Sequence, residues 1–374
     1  MKIKPFKLER YFAKYEFNTE YLLASSDCQS LSIKELLSLE KGAEGKFREH
    51  WLGYTESQGS PTLRNEISRI YGNTSPEQIL VHAGAEEAIF TFIQAALDQG
   101  DHLIVHWPCY QSLYEIAVSI GCQISNWEAR AENNWELDPD ELKGLVQPNT
   151  KAIVINTPHN PTGNLMTREI YQETWQIAQS HGIQFFCDEV YRESEYDPAD
   201  RLSAASDLGE LGISLGVMSK SYGLAGLRIG WIATQNPNLY QKISHYKDYT
   251  SICNSAPSEF LAALALRHRE KLAERNLKII TDNLALLDDF FNRHEDKFSW
   301  IKPKAGPIAL PQLLDRDVDE FCQKLVLDKG VMLLPGTVYE HPGNHFRIGF
   351  GRQNMPEALE KLEEFISSDK LRKS

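Results

Sequence analysis

The sequence predicts an α/β fold: a large domain with a mostly parallel sheet wound by helices on both faces, plus a smaller α/β domain built from both chain ends. Three observations predict it. Short, largely apolar runs at 79–82, 103–106, 152–156, 183–187 and 213–218 alternate with helical stretches, as expected of parallel strands covered on both faces. From about residue 295 the pattern shifts to shorter strands and helices. At 374 residues and 42% hydrophobic content the chain can hold one large core and a smaller one. The expected division is an N-terminal segment of the small domain at 1–45, the large domain at 46–290 and the C-terminal small domain at 291–374.

Charge and composition remove several function classes. Thirty-nine basic residues stand against 52 acidic ones, a formal charge of −13, which argues against a general nucleic-acid surface. The basic start of the chain lacks an apolar core of signal-peptide length, and no run approaches the roughly 20 residues that span a bilayer. The expectation is a cytoplasmic protein with no membrane partner. Six scattered cysteines suggest neither a zinc site nor a disulfide framework, so most should be small buried residues.

Taken in order, the first element is a helix over 31–39. The polar stretch 25–30 before it reads as a helix cap or as a substrate loop. Tyr54 lies in a glycine-bounded turn where a packing role is the plainer reading, and a helix follows over 61–71. Strand 79–82 runs through Gly84 into a helix opening at Ala85 and Glu86, with apolar residues at 85, 88, 89, 92, 93, 96 and 97 on one face. Such a junction can cradle a phosphate on unpaired amides at the positive end of the helix dipole, although many α/β turns look alike.

Strand 103–106 ends at Trp107 and Pro108, leaving Tyr110 near its carboxyl end. Strand 152–156 ends in a loop where Pro158 and Pro161 flank His159 and Asn160 and fix their backbone. Strand 183–187 is followed by Asp188 and Tyr191, and a carboxylate at the end of an apolar strand needs a cation or several donors. Helices are expected over 111–119 and 168–180.

The stretch VMSKSYGLAGLRIGW, residues 217–231, then follows strand 213–218 and leads into strand 229–233. Lys220 at a strand end would be desolvated and more nucleophilic near neutral pH. Arg228 suits a phosphate, and Gly223, Gly226 and Gly230 let backbone approach a ligand. Alone, the stretch equally describes an exposed lysine and a surface arginine. Parallel sheets, however, bind ligands beyond the carboxyl ends of their strands, which gathers Tyr110, Asn160, Asp188 and Lys220 on one side.

Further on, helices are expected over 239–246 and over 258–291 with an interruption near 270–276. Beyond these lie an amphipathic helix over 318–327, a strand over 331–334 and a last helix over 356–366. In 345–350, Phe346, Ile348 and Phe350 share one face and Arg347 lies on the other, toward solvent or into an interdomain cleft. The basic end 370–373 reads as a frayed tail.

A lysine for a Schiff base, an arginine and helix terminus for phosphate, an aromatic face and a buried carboxylate together describe a site for pyridoxal 5′-phosphate. Asp188 would keep the pyridine nitrogen protonated, Tyr110 would stack on the ring, and Asn160 and Tyr191 would bond its hydroxyl oxygen. Over nearly its whole length the chain resembles the aspartate aminotransferase superfamily, the fold type I pyridoxal-phosphate enzymes of aminotransferase class I/II. The resemblance rests on Tyr54 and Thr55 with Gly59, Leu63 and Arg64, on Gly84 to Glu86, and on Asn160 to Gly163. It rests also on Asp188 to Tyr191, on Ser219 and Lys220 with Arg228, and on Arg347.

The resemblance implies that Lys220 forms the internal aldimine and then moves a proton between substrate Cα and cofactor C4′. Arg228, Ser219 and the backbone of Gly84, Ala85 and Glu86 would hold the phosphate. Arg347 would grip the substrate carboxylate, with Asn160 beside it, and Tyr54 would reach the phosphate of a neighbouring subunit in a homodimer. The implied activity is transfer of an amino group from an L-amino acid to a 2-oxo acid by a ping-pong route. Its alternative is a lyase, decarboxylase or cyclase acting on a modified amino acid. Three departures stand out: Val217 where many relatives carry serine, Glu86 where glutamine is common, and 24–28 in place of a glycine-containing substrate loop.

Overall fold

The computed structural model describes residues 2–372. Seven strands form the main sheet: β1 (Ile79–His82), β2 (His102–Trp107), β3 (Gln123–Glu128), β4 (Thr150–Asn156), β5 (Gln184–Asp188), β6 (Gly212–Val217) and β7 (Gly230–Thr234). Their order across the sheet is β1-β7-β6-β5-β4-β2-β3. Only β7 runs against its neighbours, pairing antiparallel with both β1 and β6, while the remaining pairs are parallel. Because β7 is inverted between two strands of the common direction, the end of β1, the end of β6 and the start of β7 meet at one edge: His82 and Val217 both pair with Gly230.

Alternate residues explain why the sheet is covered on both faces. Leu103, Val105, Val154, Phe186 and Leu215 pack with helices Ala85–Ala96, Ser112–Ser119 and Pro237–Lys247. Ile104, Ile153, Ile155, Phe185 and Cys187 pack on the other side with helices Pro139–Leu145 and Arg168–His181. Thr167 caps the latter helix by accepting from the Ile170 N–H, and Gly182 ends it with φ 65°. Strand β3, missed by the apolar-run reading, is an edge strand in which three of six residues are exposed and only Trp127 is buried.

A second apolar core joins Leu23 and Cys28 to residues between Ile280 and Ile366, so both chain ends contribute to it. The expected strand at 331–334 is two short ones: Val331–Met332 pairs with Tyr21–Leu22, and Leu334–Pro335 pairs with Phe346–Gly349. The helical stretch expected over 258–291 breaks at His268, between Ala256–Arg267 and Arg269–Arg293, rather than at 270–276. The helix over Ile33–Leu37 opens with a capping box between Ser32 and Glu35. A helix over Lys7–Tyr15 was not foreseen.

Four of the six cysteines are buried and two are partly so, all as free thiols. No described helix is long and apolar enough to cross a membrane. Of the expected tail, Lys373 lies outside the described residues, and the last helix extends to Arg372.

Candidate active site

The carboxyl edge of the main sheet opens into a cavity of about 390 Å³. Ala85, Glu86, Tyr110, Asn160, Asp188, Tyr191, Ser219, Lys220, Arg228 and Arg347 all line it, drawn together from five loops and the strand Phe346–Gly349. Two predicted residues lie elsewhere. Gly84 sits behind the lining, in the turn between β1 and its helix, and Tyr54 is outside the cavity and 87% exposed.

The β6–β7 hairpin carries the lysine and the arginine. Its base is closed by the bond from Met218 N–H to Ile229 O, 3.0 Å, and the chain turns back at Arg228, whose φ is 51°. Lys220 Nζ donates to Ser26 Oγ at 2.9 Å. Burial lowers the Lys220 ammonium from its ordinary value, opposed by the carboxylates of Asp27, Asp188 and Glu9 and assisted by Arg347.

Asp188 ends β5, and its carboxylate accepts the Val190 N–H at 3.1 Å. Burial pushes its pKa up to about 7 despite that bond and nearby Lys220. A carboxylate so placed calls for a cation beside it. Glu86, in the first turn of its helix, is likewise pushed up to about 7 by burial, with Ser112 Oγ donating to it at 3.1 Å. Tyr110 donates to Glu9 at 3.2 Å.

Gly84 and Gly230 are glycines for reasons of space. Gly84 has φ +91°, and a Cβ there would stand 2.4 Å from Arg228 Nη2. A Cβ on Gly230 would meet the Gly84 carbonyl carbon and the Ala85 nitrogen at 2.7 and 2.8 Å. Strand β7 thus presses directly on the helix entrance, and the guanidinium of Arg228 lies against the turn that presents the first helical amides.

Arg347 is 1% exposed and belongs to the cavity rather than to solvent. Its Nη1 donates to Asn160 Oδ1 at 3.1 Å and to the Tyr339 hydroxyl, and its Nη2 donates to Ala24 O at 2.6 Å. Tyr339 also donates to Asn160 Oδ1, at 3.0 Å. The loop below is tied to its strand by the Asn160 N–H, which donates to Asn156 Oδ1 at 2.6 Å.

Sequence reasoning missed Tyr339, which sits in a short turn carrying no motif. It also missed Leu8, Glu9, Phe12 and Glu16, which line the cavity from the N-terminal helix and the turn after it. The stretch read as cap or substrate loop does both jobs: Ser32 caps, while Ser25, Ser26 and Asp27 line the cavity. Tyr191 lines it too, with its hydroxyl donating to Ser26 O at 3.0 Å. His159 is buried, its ring stacked on His106 with centroids 3.6 Å apart, and is not among the lining residues.

The pattern of aminotransferase class I and II matches residues 21–362. The chain belongs to this family. Among solved structures it is similar to a PLP-dependent aminotransferase of Streptococcus suis, with a TM-score of 0.92, 33% identity and 98% of this chain and 99% of that one covered. Capreomycidine synthase of Streptomyces vinaceus is 25% identical over 366 residues, covering 96% of this chain and 93% of that protein. Aspartate aminotransferase of Geobacillus stearothermophilus is 26% identical over 342 residues, covering 84% of each.

As a member of this family the protein is a fold type I enzyme dependent on pyridoxal 5′-phosphate. The cavity fits that group. The tight Gly84–Gly230 contact and Arg228 form an anion cradle at a helix entrance, the buried Asp188 carboxylate needs the cation that a protonated pyridine nitrogen offers, and a desolvated amine lies between.

Proposed function

We propose that this enzyme is an aminotransferase that moves the amino group of an L-amino acid to a 2-oxo acid by a ping-pong route. One observation carries the reading: Lys220, Asp188 and Arg347 line a single cavity, with the amine desolvated and the guanidinium buried.

Bound pyridoxal 5′-phosphate supplies an electron sink for the bond that breaks at substrate Cα. The protein's own groups do the rest. Lys220 is the covalent anchor and afterwards the base that moves the proton between Cα and C4′, a task suited to an amine whose pKa burial has lowered. Asp188 holds the ring nitrogen protonated. Arg228, Ser219 and the amides of Ala85 and Glu86 at the turn after Gly84 hold the phosphate. The Asn160 amide and Tyr191 flank the ring oxygen, and Tyr110 covers the ring. Arg347, anchored by Asn160, Tyr339 and Ala24, presents a planar fork to the substrate carboxylate that lysine could not reproduce.

A homodimer in the cytoplasm belongs to the same reading. Tyr54 shares a shallow surface pocket with Leu52, Ser251 and Cys253, and Trp51, Leu52 and Tyr54 are exposed apolar side chains that a second copy would cover. With it goes the division into 1–45 and 291–374 around the cofactor domain 46–290; the core that unites the two ends supports its outline, although the C-terminal part of that core begins at Ile280, and Leu36, Leu37 and Ala43 pack with the main sheet.

The similarity to capreomycidine synthase across 96% of the chain favours a second reading, a lyase, decarboxylase or cyclase acting on a modified amino acid. One experiment separates the two. Single L-amino acids are added to the purified holoenzyme without any oxo acid, and the cofactor's absorption is followed. A lasting bleach of the original band, reversed by a 2-oxo acid, is expected for transamination. A band that passes through transient changes and returns with product released selects the second reading. Absence of any cofactor band after reconstitution refutes both.

A further inference from the structure

The cavity holds more carboxylates than cations. Its lining carries three cations, Lys220, Arg228 and Arg347, and five carboxylates, Glu9, Glu16, Asp27, Glu86 and Asp188. Under the proposed function, on which this inference rests, Arg228 is matched to phosphate, Asp188 to the ring nitrogen and Arg347 to the substrate carboxylate. Asp27 is already paired with Arg352 at 2.9 Å, and Glu86 lies beside Arg228 with a bond from Ser112. Glu9 and Glu16 remain, and among the described residues neither has an ion-pair partner.

These two carboxylates are seven residues apart on the helix Lys7–Tyr15 and the helical turn that continues it, so they share a face two turns apart. Phe12 lies between them on that face and also lines the cavity. Their field reaches the reacting centre: Glu9 is among the groups that raise the Lys220 pKa, and like-charge repulsion from Asp27 and Glu9 adds to burial in raising that of Glu16. The cavity also holds polar atoms awaiting a ligand. Ser25 Oγ and Arg347 Nε belong to lining side chains only 3% and 1% exposed, and neither has a hydrogen-bond partner among the described residues.

We infer that the donor is an amino acid whose aliphatic side chain ends in a cation, ammonium or guanidinium, with the chain laid against Phe12 and the cation held by Glu9 and Glu16. The α-carboxylate goes to Arg347, whose guanidinium carbon lies 5.9 Å from the Phe12 ring centroid. Glu9 and Glu16 repel a side-chain carboxylate, so dicarboxylic donors are poor ligands for this protein.

The test titrates the holoenzyme with L-arginine and with L-citrulline, its neutral near-isostere, near neutral pH and at low salt. The apparent Kd is read from the cofactor band and, independently, by calorimetry. Arginine is expected to bind about tenfold tighter than citrulline, with L-glutamate weaker than both. In the double variant E9Q/E16Q the arginine preference falls below about threefold while the citrulline Kd stays put. Glutamine preserves the acceptor for Tyr110, and the single variant E16Q, which removes only the more enclosed carboxylate, shows part of the same loss. Equal affinity for arginine and citrulline, or an undiminished ratio in the double variant, overturns the inference while leaving the enzyme reading intact. Failure of every amino acid to perturb the cofactor band overturns both.

Discussion

The floor and the roof of the cavity are built on different principles. The floor is the carboxyl edge of a buried sheet, where Asp188, Asn160, Lys220 and Arg228 sit on or just beyond strands paired on both sides. The roof is a nine-residue helix, Lys7–Tyr15, whose N-cap Phe6 offers no side-chain bond. The Lys4 and Lys7 amide N–H groups donate to Glu115 and Gln111 beneath. So short a helix has little stability of its own and owes its shape to packing. Under the proposed function, chemistry falls to the rigid floor and choice of the substrate side chain to a light cover that can diverge without disturbing the reacting groups.

Substitutions on the two surfaces should differ in kind. Lys220→Ala should lower turnover by about 10⁴-fold and abolish borohydride-reducible attachment of the cofactor, with the apoprotein still folded by circular dichroism. Asp188→Asn leaves the anchor but removes the partner of the ring nitrogen. A loss of about 10²-fold in kcat, with the cofactor still attached, is the expected result in single-turnover kinetics. Arg347→Lys should raise donor KM about tenfold or more through the lost fork, an effect that a simple monocarboxylate inhibitor series can confirm. On the roof, Phe12→Ala should change donor KM only a few-fold and leave cofactor affinity untouched. A Phe12→Ala variant that shed its cofactor would erase the distinction between the walls.

The smallest effect concerns pH. Asp188 and Glu86 in the cofactor-free protein have pKa values raised by burial to about 7, so between their ordinary values and 7 the folded state holds more protons than the unfolded one. Their contribution is favourable at low pH and is lost as pH rises through about 7. The melting temperature of the apoprotein should therefore fall by about 2 °C or more from mildly acidic to mildly alkaline buffer, less so in Asp188→Asn. Loading the cofactor should flatten the Asp188 part of that slope.

The same contrast governs what could be read from the sequence. The floor was legible because apolar runs stop at proline, glycine or a carboxylate, and the loops after them land on one edge by the geometry of parallel sheets. The face taken by Arg347 was left open by alternation alone; its fully buried strand and the bonds to Asn160 and Ala24 settled it. The roof was opaque because its helix is mostly polar and uncapped. Its signal was there in Leu8, Tyr11, Phe12 and Tyr15 at helical spacing, masked by the four lysines and arginines of 2–10. Tyr339 had no local signal, since only the return of the strand Phe346–Gly349 beside its turn brings it to Arg347.

The contact between Gly230 and the turn at Gly84 bears on how this protein tolerates change. A residue with no side chain and no part in proton transfer guards the spacing of the phosphate cradle, and one added methyl group would collide with its backbone. In a saturation library selected for growth or colour, Gly230 should drop out as sharply as Lys220, so an intolerance map would mark a site of pure geometry beside a site of pure chemistry.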